Sequence, residues 1–255
     1  DLGVPKASAP ARSAVEPSTQ EVKNESSALT FSFENFIVGD NNMAAVKIAQ
    51  EIAKEPGADR NPLFVCGDVG LGKTHLITAV SHALKASHPD LKVGITSAGR
   101  FVDDAMSAQE THARESFRRA FDQWDAIILD DVQFLGGRVE AQEDLFHIFN
   151  ALQEKGKQII IAGDRAPEKL GLLEKRLVSR FDSGVVAHIH APEWDTRVKI
   201  LRHYAKQMKL DAPDDVVAMI AKRHTDDIRR LIGALRKVAA RAKSNGGAIS
   251  AEVAS

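Results

Sequence analysis

Cysteine is almost missing from this chain: Cys66 is the only one in 255 residues. That excludes an intramolecular disulfide and a cysteine-based zinc site, and leaves Cys66 as a small core residue at the end of an apolar run. There is also no apolar run of membrane-spanning length and no charged-then-apolar leader, so a cytoplasmic protein with no membrane partner is expected. Neither charge sign is in excess. Lys and Arg number 34 against 35 Asp and Glu, for a formal charge of −1 and a pI near 6.8. Without a global positive field, any contact with nucleic acid has to come from a local patch. What remains is an ordinary globular balance, 44% hydrophobic and 27% charged, enough for one large domain or one medium and one small. The chain opens on Asp1 rather than Met, as a piece of a longer protein would.

Against that background one stretch carries distinctive chemistry. Gly67-Asp68-Val69-Gly70-Leu71-Gly72-Lys73-Thr74, leading into His75, fits the phosphate-binding pattern Gly-x-x-x-x-Gly-Lys-Thr. The apolar run Leu63 to Cys66 enters it as a buried strand, and Leu76, Ile77, Val80 and Leu84 leave it at helical spacing. Glycines let backbone N–H groups curl around a di- or triphosphate, and the new helix turns its positive end toward the anion. Lys73 is expected to reach the outer phosphates and Thr74 to hold a magnesium ion.

The rest of the chain alternates. Residues 1–28, with Pro5, Pro10 and Pro17 among Ala, Ser and Glu, lack the apolar content to offset ordering and predict a flexible linker. An aromatic cluster opens the next region, and Asn41 or Asn42 is expected to cap a helix carrying Ala45, Ile48, Ala49 and Ile52 on one face. Further strands are expected at Val93 to Thr96, Ala126 to Leu129, Gln158 to Gly163 and Val185 to Ile189, with helical stretches between them. Strands alternating with helices predict an α/β domain over 29–191, with a parallel five-stranded sheet covered on both faces. From Pro192 only helices are readable, predicting a small all-helical lid domain over 192–245 and a frayed tail over 246–255.

Asp130 ends a strand of aliphatic residues, where a phosphate-loop enzyme places its magnesium-binding carboxylate, and Asp131 is a candidate to orient the attacking water. Glu is common at that second position. Asp is one methylene shorter and should hold the water less closely, so slow hydrolysis is expected, suiting a switch better than a motor. Asp164, beyond the next strand, is either a group between water and γ-phosphate or a plain turn signal. Arg176 and Arg180 lie four apart on one helix face, which is either solvated surface or an arginine presented to a neighbouring subunit. Arg229, early in the last helix, is placed to reach phosphate from the helical part.

Taken together these segments resemble the AAA+ ATPases, and within them the DnaA family of bacterial replication initiators. The resemblance rests on Phe33-Glu34-Asn35-Phe36-Ile37-Val38-Gly39, Asn61-Pro62-Leu63-Phe64, Gly70-Leu71-Gly72-Lys73-Thr74-His75-Leu76, Asp130-Asp131-Val132-Gln133-Phe134-Leu135 and Arg176-Leu177-Val178-Ser179-Arg180-Phe181. It implies ATP or ADP with Mg2+ as the ligands and places Val38 and Gly39 beside the adenine. It further implies that Asp164 senses the γ-phosphate, that Arg180 is a finger given to the adjacent subunit with Arg176 supporting that interface, and that Arg229 is a second sensor. Single-stranded DNA would be lined by residues near Val102 and by Arg138. Glu140 stands where the family would offer a second basic residue.

The function expected on this basis is an ATP-driven assembly switch acting at replication initiation, partnered by copies of itself, by DNA and by replication proteins. Related alternatives are a regulator of initiators or a helicase loader. A phosphate-loop kinase and a non-hydrolysing nucleotide-binding scaffold belong to different classes. Nothing marks an acceptor pocket for the first, and the intact Lys73, Thr74, Asp130 and Asp131 argue against the second.

Overall fold

The apolar runs become adjacent strands of a single sheet. A computed structural model of the chain describes residues 19–21, 31–57, 59–244 and 249–250. The strands are β1 (Gln20–Glu21), β2 (Leu63–Cys66), β3 (Val93–Ser97), β4 (Ala126–Asp130), β5 (Gln158–Gly163) and β6 (Val185–His188), in the spatial order β1-β3-β4-β5-β2-β6. β2 to β6 are all parallel, so the expected α/β class and five-stranded parallel sheet are present. The sixth strand is a departure. Gln20 and Glu21 fall in the segment expected to be a linker, yet they pair antiparallel with Ile95 and Gly94 at the sheet edge. An edge pairing of this kind uses backbone groups alone, so it leaves no side-chain pattern to read. The remainder of the expected linker, 1–18 and 22–28, lies outside the described residues.

Continuous apolar runs are explained by burial on both faces, with successive residues pointing oppositely. Ile127, Leu129, Ile159 and Ile161 face one core with Phe101, Phe117, Phe121 and Phe149. Ile128 and Ile160 face the other, with Leu63, Val65, Ile52, Leu76 and Val80. The covering helices are α1 (Met43–Lys54), α2 (Lys73–Ser87), α3 (Ala98–Glu110), α4 (Arg114–Ala120), α5 (Val139–Glu154) and α6 (Lys175–Asp182). Then come α7 (Trp194–Gln207), α8 (Asp214–Arg223) and α9 (Ile228–Ser244), which enclose a separate core of Ile200, Leu201, Val216, Val217, Ile220, Leu231 and Leu235. Ile249, in the expected tail, packs against this third core rather than fraying, while 246–248 and 251–255 lie outside the described residues. Among the described residues, no helix is long and apolar enough to cross a membrane.

The aromatic segment after residue 30 ties the sheet to the last three helices. Phe33 and Phe36 pack on the α1/α2 side while Ile37 packs into the core of α7–α9. Asn42 does not make the expected side-chain cap on α1. Its amide braces the segment instead, accepting from Gly39 N at 3.0 Å and donating to the Ile37 carbonyl at 3.1 Å. Asn41 reaches the other way and donates to the His190 carbonyl at 2.9 Å, beside the start of the final helical part.

Candidate nucleotide site

Strand register sets the site. Cys66 lies level with Gly163 of β5 and His188 of β6, so β2 and β5 deliver the phosphate loop and Asp164 to one end of the sheet. Leu129 pairs with Ile161, which places Asp130 and Asp131 at that same end beside the phosphate loop. Ligands of open α/β sheets bind outside these carboxyl ends. A cavity of about 670 Å³ opens there. Val69, Gly70, Gly72, Lys73, Thr74 and His75 form its floor, and Asp131 and Gln133 form one side.

The loop's conformation needs its glycines. Gly70 and Gly72 take φ of +83° and +101°, in the left-handed region that side chains resist. Lys73 opens α2, is only 6% exposed, and donates to the Gly67 and Asp68 carbonyls at 2.7 and 2.9 Å. Burial pushes its ammonium below the ordinary lysine value, opposed by the nearby Asp131, Asp130 and Asp164 carboxylates. The loop is therefore closed around a cation already held in place.

Thr74 donates its hydroxyl to Asp130 Oδ2 at 2.7 Å, and Asp130 Oδ1 accepts from Asp131 N at 2.8 Å. Burial raises the Asp130 carboxyl above its usual range, with the Thr74 bond working the other way. Two hard oxygens this close suit magnesium, which takes few protein ligands and keeps phosphate and water for the rest. Asp131 sits at φ 56° and ψ 47°, a left-handed conformation that Asp tolerates better than most residues. Asp164 is half-buried and gripped by Arg165 through bonds of 2.9 and 2.7 Å. That fork holds its carboxyl below the usual range.

The far wall comes from the last three helices. Tyr204, Gln207, Ile228, Arg229, Ile232, Gly233 and Arg236 line it, and Phe31 and Asn35 complete the rim. Phe31 lies 4.8 Å from the His75 ring, which Phe36 meets edge-on at 5.0 Å. Ile228 N donates to the Gly70 carbonyl at 3.0 Å, so α9 starts directly on the phosphate loop.

Comparison with known proteins agrees with this geometry. Residues 28–188 match the family model described as the bacterial DnaA ATPase domain. The chain belongs to the DnaA family. The replication initiator DnaA of Deinococcus deserti is 42% identical over 225 residues, covering 88% of this chain and 49% of its own length. The chain thus spans about half the length of the curated DnaA relatives it matches. Domain III of Thermotoga maritima DnaA superposes with a TM-score of 0.85 at 38% identity, covering 89% of this chain and 94% of that one. A replication initiator DnaA bound to AMPPCP and single-stranded DNA superposes at 0.78 with 32% identity, covering 86% and 68%.

Not all of the residues expected from the DnaA resemblance line the cavity. Lys73, Thr74, Asp131 and Arg229 do. Val38 is 42% exposed, and Gly39 packs against Thr196 so closely that a Cβ there would collide with it. Neither is among the residues that line the cavity, whereas Phe31 and Asn35 are. Arg180 and Arg176 lie away from the cavity over the Phe146 ring of α5, at 5.9 and 4.7 Å. Val102, expected near the single strand, is 5% exposed and packs in the core, because it lies on the α3 face that covers the sheet. Arg138, just before α5, is exposed as expected. Cys66 is the expected core residue, with a thiol that burial pushes up to about 11 and so keeps unreactive.

Sequence reasoning misses Asp227. Its Oδ1 accepts from Arg229 N at 2.8 Å and Arg230 N at 3.1 Å, capping α9, and its carboxylate occupies the space a Cβ on Gly70 would need. An Asp just before a helical run is the available signal, but Asp226 competes with it one residue earlier. Asp227→Ala is expected to destabilise the helical part by about 1 kcal/mol, and Asp227→Asn by much less, since Asn caps as well as Asp. Denaturant unfolding of both variants checks this, and equal losses would show that charge rather than capping matters.

Proposed function

We propose that this chain is the ATP-binding and assembly module of a replication initiator, and that slow ATP hydrolysis resets it. The observation that carries this reading is the cavity between the phosphate loop and the start of α9. On one side stand Lys73, Thr74 and Asp131, with Asp130 buried behind and bonded to Thr74, and on the other Arg229 and Arg236. A nucleotide there touches both parts of the chain, so its phosphates can set how the last three helices sit on the sheet. Magnesium held by Thr74 and Asp130 would neutralise phosphate charge. Asp131 would orient the attacking water from a short side chain, which favours a slow reaction. The division into an α/β part over 29–191 and a helical part over 192–245 is supported by the separate core of α7–α9.

Arg180 supports self-association through an ATP-bridged interface, because it lies outside its own cavity. Replication proteins are further partners on this reading, and the cytoplasm is its setting. Single-stranded DNA is the favoured nucleic acid. The DnaA structure with AMPPCP and single-stranded DNA is similar over most of the chain, and Arg138 is exposed on the loop after β4.

A net charge of −1 gives one subunit little attraction for phosphates. Non-specific binding by dedicated proteins is typically about 10⁻⁴ to 10⁻⁶ M at physiological salt, and this monomer should be weaker. Assembly repeats Arg138 along one strand and gains avidity without any new type of contact. Fluorescence anisotropy on a labelled single strand should therefore rise with ATP, stay low with ADP and fall with salt. Arg138→Ala should weaken binding and Glu140→Arg strengthen it. Equal binding in the two nucleotide states would defeat the coupling. Release of phosphate with no added acceptor separates this reading from a kinase.

A further inference from the structure

The segment after β4 holds a side chain that the nucleotide chemistry above does not use. Gln133 is half-buried, lines the cavity, and uses both ends of its amide. Nε2 donates to Asp131 Oδ1 at 3.0 Å, while Oε1 accepts from Asp164 N at 3.3 Å. The orientation of the amide is dictated by its neighbours, since a carboxylate only accepts and a backbone N–H only donates. Gln133 therefore spans the ends of β4 and β5, from the carboxylate of one to the backbone of the other.

We infer that Gln133 is the positioning residue that aims the Asp131 carboxylate at the water attacking ATP. Asp131 needs such a brace. Its left-handed backbone fixes where the side chain begins but not how the carboxylate turns, and the short side chain leaves little reach to correct an error. A donor on Oδ1 fixes that rotation and leaves the other oxygen for the water. The anchor on Asp164 N keeps the amide itself from turning, and it references Asp131 to the same strand end that carries Asp164. Gln153, another glutamine near a functional arginine, accepts from Arg180 Nη1 at 3.3 Å and does not line the cavity.

This inference rests on the proposed hydrolysis, and the experiment separates the two. ATP turnover and the affinity for a non-hydrolysable ATP analogue are measured for wild type, Gln133→Ala and Gln133→Glu at matched assembly. Gln133→Ala should lower kcat about tenfold or more, because small misplacements of a water-orienting group are costly, while affinity stays within about twofold. Gln133→Glu keeps the acceptor for Asp164 N but replaces the donor to Asp131 with a second carboxylate. It should be at least as slow as Gln133→Ala near neutral pH. It should recover as pH is lowered from about 8 to about 5.5, when the new carboxyl takes up a proton and can donate to Asp131.

Wild-type turnover in Gln133→Glu would assign the role to the Asp164 contact and overturn the inference. So would wild-type turnover in both variants, or a loss of affinity matching the loss of rate, which marks a structural role. No turnover in the wild type overturns the proposed hydrolysis and the inference with it.

Discussion

Replacing Lys73 with Ala should cost this chain most of its affinity for ATP while leaving the unliganded fold in place. The Lys73 ammonium is held against two backbone carbonyls at the mouth of α2, and among the described residues it is the only lysine lining the cavity. On the proposed reading, an incoming triphosphate would replace those carbonyls with phosphate oxygens. Hydrogen bonds to charged partners contribute roughly 1.5–3 kcal/mol each, so two of them correspond to about a hundredfold or more in Kd. The helix N-terminus and the loop N–H groups remain, and they should preserve weak binding rather than none. Without nucleotide the variant frees the Gly67 and Asp68 carbonyls to take water, a modest change at an open cavity. Calorimetry with ATP and magnesium, beside thermal unfolding of the unliganded proteins, gives the answer. Equal affinity in the two proteins would remove the phosphate loop as the binding site.

Why this site can be read from sequence, and others not, comes down to how far apart the cooperating residues lie. The phosphate loop is one continuous strand–loop–helix. The apolar run before it, the glycines and the helical spacing after it are all local, and the structure builds the loop as expected. Asp130 is legible for the same reason, because a buried strand announces where its carboxyl end lies. Pairing between distant segments leaves weaker traces. The two-residue strand at Gln20 and Glu21 is held by backbone bonds to β3, and a proline-bearing composition nearby points the other way.

Val102 shows a different limit. Position along a helix does not say which face meets the sheet, and here Val102 falls on the buried one. The far wall of the cavity is the clearest case. Tyr204, Gln207 and Arg236 arrive from helices more than a hundred residues beyond the phosphate loop. Only Arg229 among that group is identified from sequence, and the sensor role proposed for it is what the family resemblance implies rather than what spacing shows. Gln133 sits inside the motif that begins at Asp130, yet its role emerges only when β5 brings the Asp164 backbone within reach.

Mixing Arg180→Ala subunits with Lys73→Ala subunits should restore hydrolysis that neither has alone. Arg180 is held away from the nucleotide site of its own chain. It lies on α6 above the Phe146 ring, donates to Gln153 of α5, and is not among the groups that line the cavity. An arginine placed there can meet a phosphate only if the phosphate belongs to another subunit. Arg176 shares the Phe146 ring and pairs with Glu174, so the two arginines form one basic edge on an aromatic support. Finger arginines contribute roughly 10³ to 10⁵ in rate in fast systems. A slow switch with a short water-orienting Asp131 should show less, about tenfold.

In the mixture, a Lys73→Ala subunit binds little ATP but still offers Arg180, and its Arg180→Ala neighbour binds ATP but offers no finger. Where the first sits next to the second in the right order around an assembly, one complete site forms. Phosphate release should therefore peak at intermediate ratios and fall away at either extreme. Co-assembly is verified at the same concentrations by light scattering with ATP. A flat profile under conditions where the two variants demonstrably associate would place Arg180 outside the shared site, and would leave the basic edge of α6 as solvated surface.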